Sequence, residues 1–180
     1  MLRRRRLLVT LTATSMTVPL LLACRSAHAN LRHDVLSFLN THTGEALSVA
    51  YRVAGTHVTH ALRSIDHVLR DHRTGDTHAI DPALLDQLQQ LAQITGTRRP
   101  YQVISGFRSE RSNLLLRTTG GGGVAKDSLH LQGRAIDIRL ADVRLADLRT
   151  AAMSLKLGGV GYYPGSDFVH LDSGRVRSWG

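Results

Sequence analysis

Ser128-Leu-His-Leu-Gln-Gly-Arg-Ala-Ile-Asp137 is the stretch of this sequence that says most about its fold and its chemistry. Its second half runs into Ala135-Ile-Asp-Ile-Arg-Leu140, an apolar, β-forming segment with an acid in the middle. An acid buried there without a partner costs several kcal/mol, so a cation must compensate it. Two sources of positive charge stay open at this point: a bound metal ion, or a salt bridge to Arg134 or Arg139.

A second histidine stands in a similar position within Asp167-Phe-Val-His-Leu-Asp172, inside an apolar strand and between two acids. Taken alone, such a histidine is more often a hydrogen-bonded core residue than a ligand. Zinc accepts imidazole nitrogens and carboxylate oxygens, and a catalytic zinc site uses three such ligands and leaves a fourth position to water. His130, Asp137 and His170 together would satisfy that count.

Apolar spacing along the chain predicts a mixture of strands and helices. A hairpin is expected from the apolar runs at 31–39 and 46–53, because the turn-rich segment Asn40-Thr-His-Thr-Gly44 separates them. Asp81 and Pro82 are typical of a helix N-cap and first turn. The predicted helices span 60–73, 82–92, 109–117 and 145–155, and the predicted strands span 101–104, 135–140, 160–163 and 168–171. The order contains no regular βαβ repeat, which predicts an α+β fold with a small, largely antiparallel sheet and helices packed against it.

The composition is that of one globular domain rather than of a nucleic-acid-binding protein. Of the 180 residues 42% are hydrophobic, enough for a core, and only 4% are aromatic, few for a surface that stacks on bases. The formal net charge of +9 falls to +4 without the first 29 residues, since these carry five arginines and no acid. The glycine run Gly120–Gly123 predicts a mobile loop and lacks the Lys-Ser/Thr ending of a phosphate loop. We therefore expect neither nucleic-acid nor nucleotide binding.

The first 29 residues have the layout of a secretory signal peptide. Four arginines at 3–6 precede a mostly apolar stretch to Ala23, and Ala27-His-Ala29 has the small-x-small form that signal peptidase favours. The arginines also approximate the twin-arginine export pattern. A membrane anchor is the alternative, which the shortness of the stretch and Pro19 within it disfavour. We expect cleavage after Ala29, a single domain over 30–180, and delivery to the periplasm or cell envelope.

Cys24 is the only cysteine, and it lies in that leader. Leu21-Leu-Ala-Cys24 resembles a lipoprotein cleavage box, so a lipid anchor at Cys24 is a second possibility. Cleavage after Ala29 instead leaves a mature chain with no disulfide, no catalytic thiol and no cysteine-rich zinc site. Any metal must then be held by His, Asp or Glu side chains.

The spacing Ser-x-His-x-x-Gly-x-Ala-x-Asp over 128–137, followed by Asp-x-x-His over 167–170, resembles the M15 group of zinc peptidases, which includes D-Ala-D-Ala carboxypeptidases and dipeptidases. Within this group, four segments resemble the murein endopeptidase K branch: Asn40-Thr-His-Thr-Gly-Glu45, Ser105-Gly-Phe-Arg-Ser109, Gly-Gly-Val-Gly-Tyr-Tyr-Pro164 and Phe168-Val-His-Leu-Asp172. The resemblance covers 31–180 except the glycine run, and it keeps every metal-binding position.

The resemblance assigns roles to individual residues. His130, Asp137 and His170 correspond to the ligands of one Zn²⁺ ion. Asp167 corresponds to the acid that acts as general base, taking a proton from water and returning it to the leaving amine. The alternative for Asp167 is a plain turn residue, because it follows Pro164-Gly-Ser166.

Three further features are expected near the site. Arg108 matches a family arginine that would steady a substrate carboxylate or a developing oxyanion, with a surface salt bridge as the alternative. Ser128 and Asp172 are expected to orient a ligand imidazole. The tail Arg175-Val-Arg-Ser-Trp179 is a candidate for lining the cleft.

Together these features predict a monomeric, envelope-facing domain of the Hedgehog/DD-peptidase type that hydrolyses cross-links between peptidoglycan stem peptides, either the DD or the LD bond. Two alternatives stay open. The first is a D-Ala-D-Ala carboxypeptidase, which would share the metal chemistry. The second is a non-catalytic wall-binding module with a structural zinc ion, in which Asp172 is the nearest candidate for a fourth ligand.

Overall fold

The computed structural model describes residues 33–119 and 124–180, which fall in one unit spanning Leu31–Gly180. The predicted signal peptide over 1–29, including Cys24, and the glycine run over 120–123 lie outside the described residues. None of the described helices has the length and apolar character that a membrane span requires.

Across 33–119 and 124–180, eight strands form one sheet, in the order β3-β2-β1-β4-β5-β7-β6-β8. The strands are β1 (His33–Asn40), β2 (Ala46–Val53), β3 (Thr56–His57), β4 (Tyr101–Ser105), β5 (Ala135–Arg139), β6 (Gly159–Tyr163), β7 (Phe168–Asp172) and β8 (Arg177–Trp179). Within the described residues, β1–β4 and β6–β8 pair in parallel and the other five pairs are antiparallel. The prediction of mixed helices and strands is confirmed, and the sheet is larger than the small one expected.

The hairpin predicted at the start of the domain is confirmed as β1 and β2. Asn40 stabilises its turn, because the side-chain oxygen accepts the backbone N–H groups of His42 at 3.0 Å and Thr43 at 3.2 Å. The amide nitrogen of Asn40 donates to the carbonyl of Val68 at 3.0 Å. An asparagine that bonds its own turn in this way specifies the connection, and the bond to Val68 ties the hairpin to the first helix.

In the part of the chain that the structure describes, four α-helices accompany the sheet: α1 (Thr59–Val68), α2 (Pro82–Thr95), α3 (Glu110–Thr119) and α4 (Leu145–Leu155). As predicted, Asp81 caps α2, since its carboxylate accepts the N–H of Ala83 at 3.0 Å and Pro82 occupies the first turn. The buried face of α2 joins sheet residues in one hydrophobic core. This core includes Leu84, Leu85, Leu88 and Leu91 of α2 and Leu36, Phe38, Ile136 and Ile138 of the sheet.

The first helix is shorter than predicted, because α1 ends at Val68 and not near Arg73. In a continuing helix the carbonyl of Leu69 would accept the N–H of Arg73. Here the Leu69 carbonyl accepts the N–H of Phe107 at 2.8 Å, and the Asp71 carboxylate accepts the N–H of Arg73 at 2.9 Å. Apolar spacing runs on past the end of the helix while these two bonds turn the backbone away.

Two short strands escape the sequence patterns. With two and three residues, β3 and β8 are too short to show an alternation of apolar and polar side chains. Strand β8 lies parallel to β6, so the chain's last residues form one edge of the sheet.

The centre of the sheet positions two of the predicted ligands. On neighbouring strands, Ser105 of β4 pairs with Asp137 of β5, which pairs with His170 of β7. Because side chains alternate along a strand, Asp137 points to the face opposite that of the core residues Ile136 and Ile138. Directly paired residues share a face, so Asp137 and His170 lie side by side there.

Candidate metal centre and active-site cavity

Three side-chain atoms converge on one point: His130 Nε2, Asp137 Oδ1 and His170 Nδ1. The two nitrogens are 3.2 Å apart, and the oxygen lies 3.3 Å from His130 and 2.9 Å from His170. Ligands around tetrahedral zinc, with bonds of about 2.0–2.1 Å, lie about 3.3 Å from one another. Only 3%, 8% and 13% of the three side chains is exposed, so the cluster is shielded from bulk water.

His130 is fixed in one tautomer. It lies in a 3₁₀ turn over Leu129–Gln132, and its Nδ1 is 2.7 Å from the carbonyl oxygen of Gly106. A carbonyl only accepts hydrogen bonds, so Nδ1 carries the proton and Nε2 presents its lone pair to the cluster. Gly133 ends the turn at a φ of 64°, a left-handed conformation that glycine adopts without steric cost. That conformation explains the glycine between histidine and aspartate in the sequence.

His170 is oriented by Asp172, whose Oδ2 lies 3.2 Å from Nε2 of the ring. Asp172 is fully buried, accepts the N–H groups of Gly159 and Gly174, and binds both terminal nitrogens of Arg177 at 3.0 and 2.7 Å. Burial acts to raise the pKa of Asp172, but hydrogen bonds from His170 and Arg177 outweigh it and hold the pKa well below its usual range. The ionised carboxylate therefore accepts a hydrogen bond from the Nε2–H group of the ring, and Nδ1 faces the cluster.

Asp137 divides its two oxygens between the cluster and an arginine. Its Oδ1 faces the two imidazoles, while Oδ2 lies 3.4 Å from Nη2 of Arg108, which also donates to Ser105 Oγ at 3.2 Å. The Arg108 side chain is buried, so the alternative of a surface salt bridge is wrong. Its Nε is buried too and has no hydrogen-bond partner among the described residues.

The two arginines next to Asp137 in sequence do not compensate it. Arg134 lies 3.6 Å from Asp81, and Arg139 lies 2.8 Å from Asp167. The local salt bridge that the sequence left open is therefore wrong for both arginines. Instead, the groups around Asp137 come from three other segments of the chain, and two of them are the histidines of the cluster.

The pKa values of His130, Asp137 and His170 depend on burial and on the charges of the other two residues. Burial lowers the pKa of His130 against the attraction of Asp137. Burial acts in the same direction on His170, but hydrogen bonds to Asp137 and Asp172 outweigh it and raise the pKa to about 9. Burial acts to raise the pKa of Asp137, yet the two histidines hold it well below its usual range. Without a metal, the cluster thus retains a proton on His170, where a cation would compete with it.

Asp167, the acid expected to act as base, lies outside this cluster. Its side chain is 64% exposed and pairs with Arg139 at 2.8 Å. It ends the short turn Pro164–Ser166 at a φ of 54°, a left-handed conformation that aspartate tolerates better than most residues. One oxygen of its carboxylate is therefore engaged by Arg139.

A cavity of about 680 Å³ lies over the cluster and crosses the strands. Its lining draws residues from the loop after β1 and from β4, β5, β6, β7 and β8; these include His42, Ser105, Asp137, Tyr163, His170 and Trp179. Strands are about 4.8 Å apart, so the cavity can accommodate an extended peptide lying across them. This is the position from which a peptide bond would meet the cluster.

One wall of the cavity is aromatic. Tyr163 and Phe168 stack at 4.7 Å, Trp179 Nε1 donates to the Tyr163 hydroxyl at 2.8 Å, and the indole lies 5.3 Å from the His170 ring. Gly161 makes this possible, because a Cβ there would come within 2.7 Å of the indole. The chain's tail therefore lines the cleft through Arg177 and Trp179.

Two further groups show the limits of side-chain patterns. Ser128 lines the cavity, but its hydroxyl has no hydrogen bond with a described residue, and the group that orients His130 is the backbone carbonyl of Gly106. Asp127 also lines the cavity, and its carboxylate has no hydrogen bond or ion pair within the described residues. Sequence reasoning missed Asp127, which carries no motif of its own.

These features define a class of protein. Two imidazoles and a carboxylate converge on one point. The ring nitrogens that face away from this point are hydrogen-bonded to the Gly106 carbonyl and to Asp172. The cluster opens onto a cavity large enough for a peptide. That arrangement is the donor set of a mononuclear metallohydrolase.

The chain belongs to the family described as peptidoglycan L,D-endopeptidase MepK, whose profile matches residues 27–179. It is 40% identical over 148 residues to peptidoglycan L,D-endopeptidase MepK of Escherichia coli (strain K12), an alignment that covers 82% of this chain and 81% of that protein. It is 41% identical over 146 residues to the probable peptidoglycan L,D-endopeptidase MepK of Haemophilus influenzae, covering 81% of this chain and 78% of the relative. The resemblance to the murein endopeptidase K branch is thereby confirmed.

Proposed function

We propose that this chain is a zinc-dependent endopeptidase that hydrolyses peptide cross-links in peptidoglycan, and that the bond it cuts is the L,D bond named for its relatives. One observation carries the proposal. Three lone-pair atoms lie within 3.3 Å of one another, at the floor of a cavity that crosses the sheet. Lone pairs so close together repel unless a proton or a metal ion lies among them, and the distances match those between the ligands of a tetrahedral zinc ion.

The donor set fits zinc, which takes nitrogen and oxygen ligands in tetrahedral sites and is held by His130, Asp137 and His170 in this proposal. When bound, the ion supplies Lewis acidity, lowering the pKa of water and polarising a carbonyl group. Arg108 holds Oδ2 of Asp137 and so keeps Oδ1 directed at the ion. With its Nε unpaired, Arg108 also offers a donor toward a developing oxyanion.

Two acids are candidates for the proton acceptor. We retain Asp167, because its left-handed backbone is of the strained kind that functional sites preserve, and it lies three residues before His170. Asp127 is the second candidate, because it lines the cavity without a partner among the described residues. Either carboxylate would take the proton from water and pass it to the leaving amine.

The same geometry argues against the two alternatives. A structural zinc site needs a fourth protein ligand. Asp172 binds the outer nitrogen of His170 and the guanidinium of Arg177, so it does not face the point where the three proposed ligands converge. A carboxypeptidase needs room on only one side of the scissile bond. Here the lining extends from the β1 loop on one side of the ligand strands to β8 on the other, which favours cleavage within a peptide.

The remaining proposals concern fold and location. The mixed sheet with its His-Asp-His centre supports a Hedgehog/DD-peptidase type of fold. Residues 1–29 are proposed to direct export, cleavage after Ala29 to release a monomeric domain over 30–180, and peptidoglycan stem peptides to be its partners in the periplasm or envelope. A lipid anchor at Cys24 is the alternative attachment, and no nucleic-acid partner is proposed.

Digestion of purified muropeptides by the domain over 30–180, followed by mass spectrometry, tests the function. We expect cross-linked species to disappear, a chelator to stop the reaction and added Zn²⁺ to restore it. His170→Ala should abolish both activity and zinc binding, while loss of the true base should abolish activity with zinc still bound. Comparison of Asp167→Asn with Asp127→Asn identifies that base. Full activity in the presence of chelator would overturn the proposal.

A further inference from the structure

Three arginines line the cavity, and one of them has no partner among the described residues. Arg108 is committed to Asp137, and Arg177 binds Asp172 through both terminal nitrogens. Arg73 lines the same cavity, yet its guanidinium forms no hydrogen bond or ion pair with any residue of 33–119 or 124–180. A cation facing a substrate cavity without a partner is available to the substrate.

The backbone that carries Arg73 is fixed in place. Its N–H donates to Asp71 at 2.9 Å, and the almost fully buried Asp71 carboxylate also accepts the N–H and hydroxyl of Ser109 at 2.8 and 2.7 Å. Asp71 further pairs through its backbone with Gly75 and Asp76. The loop is therefore pinned to the start of α3, which lowers the entropy lost when Arg73 binds a ligand.

A pair of stacked histidines flanks this loop. The rings of His42, after β1, and His72 lie 3.8 Å apart and nearly parallel, and His42 lines the cavity. Burial and the nearby charge of Arg73 lower the pKa of His72 to about 4, so this ring is neutral at physiological pH. The stack therefore holds the loop against the segment after β1. The neutral His72 ring neither attracts nor repels an anion bound beside Arg73.

The charges around the cavity leave room for an anion. The lining holds three arginines and three aspartates, so a bound divalent cation leaves two positive charges in excess with the histidines neutral. After burial and the attraction of Asp137, Arg73 is the next influence on the pKa of Arg108, which places the two guanidinium groups within electrostatic range. An anion near Arg73 relieves this repulsion.

We propose that Arg73 binds a free carboxylate of the substrate peptide and thereby selects substrates that carry this group at a set distance from the scissile bond. The inference rests on the proposed endopeptidase function. The loop that carries Arg73 lies on the β1–β4 side of the proposed metal ligands, because His72 stacks on His42 after β1 and Asp71 bonds Ser109 after β4. The aromatic wall lies on the β6–β8 side. The substrate carboxylate that Arg73 binds therefore lies on one side of the scissile bond, and the aromatic wall contacts the part of the peptide on the other side. A guanidinium matches it with two parallel hydrogen bonds.

Kinetics on matched peptides tests the proposal. The substrates are a synthetic cross-linked stem peptide and a set in which each free carboxylate in turn is a carboxamide. For one position, we expect wild type to lose about 10- to 100-fold in kcat/KM on amidation, mostly through KM, which is the range for a charge-assisted hydrogen bond. Arg73→Gln should show the same loss on the carboxylate substrate and no further loss on that carboxamide. Arg73→Lys should recover part of the preference.

The control is Arg98→Gln, which removes an exposed arginine outside the cavity and should leave the preference intact. Hydrolysis of any of the peptides by wild type establishes the endopeptidase function separately from the role of Arg73. If no peptide is cleaved, fluorescence of Trp179, the only tryptophan and part of the cavity wall, measures binding of the same peptides. An equal effect of Arg73→Gln on every peptide, or no effect, overturns the proposal.

Discussion

Replacing Asp172 by asparagine tests the orientation of a proposed metal ligand, His170, without changing any of the three proposed ligands. Three donors hold Oδ1 of Asp172: the N–H groups of Gly159 and Gly174, and Nη1 of Arg177. The oxygen of an asparagine must therefore take the Oδ1 position. Its NH₂ group then replaces Oδ2, where it faces two other donors, Nη2 of Arg177 at 2.7 Å and Nε2 of His170 at 3.2 Å.

The cost follows from these two contacts. A hydrogen bond to a charged group contributes about 1.5–3 kcal/mol, and both are lost. The Arg177 side chain is 31% exposed, so water offsets part of its share. We expect the free energy of unfolding of the metal-free protein to fall by about 2–4 kcal/mol. Because the imidazole loses its acceptor, we also expect zinc affinity to fall about 10- to 100-fold.

Urea denaturation in a chelator measures the first quantity, and competition with a chromophoric chelator measures the second. The matched control is Asp147→Asn, since Asp147 forms the same two-point contact with Arg144 on the exposed surface of α4. We expect that variant to change neither quantity measurably. If Asp172→Asn is destabilised but binds zinc as tightly as wild type, Asp172 supports the fold alone, and the reasoning about His170 is refuted.

Three other predictions concern glycines and an acid outside the ligand set. Gly133 has a left-handed backbone, and a Cβ there would collide with the carbonyl of Ala79. Gly133→Ala should therefore lower the free energy of unfolding by about 2–4 kcal/mol, as measured by urea denaturation. An unchanged free energy of unfolding would contradict this. Gly161→Ala should displace the Trp179 indole, shifting its fluorescence and raising KM, whereas an unaltered spectrum and KM would show that the indole has room to move. Burial acts to raise the pKa of Asp71, but hydrogen bonds from neighbouring serines outweigh it and lower the pKa. The ionised carboxylate therefore stabilises the fold above the unfolded-state pKa of about 3.9, and this stabilisation is lost as the pH falls. The difference in melting temperature between wild type and Asp71→Asn should therefore narrow from pH 7 to pH 3, and a constant difference would argue against it.

Local sequence was sufficient where local forces decide the structure. Helix α4 spans the 145–155 predicted from its apolar spacing, and Asp81 caps α2 as its residue type indicates. The meeting of His130, Asp137 and His170, the proposed ligands, was predictable for a different reason. An acid or a histidine inside an apolar strand conflicts with its surroundings, so Asp137 and His170 stood out before any contact was known.

What escaped prediction depends on groups that meet only in the folded chain. The carbonyl of Gly106 that fixes His130 is backbone and leaves no trace in residue type. The end of α1 is set by Phe107, far along the chain. A motif placed Asp167 near the ligands, but its partner Arg139 lies on another strand, and no spacing within the motif reveals that ion pair.

Strand β8 brings Arg177 and Trp179 into the lining of the cavity over the cluster. Proteolytic trimming of residues 177–180 would remove the guanidinium that anchors Asp172 and the indole that walls the cleft in a single cut. The three proposed ligands would survive such trimming, but Asp172, which orients His170, would lose its arginine partner. A tag placed directly after β8 is therefore expected to disturb the cleft more than a tag placed before β1.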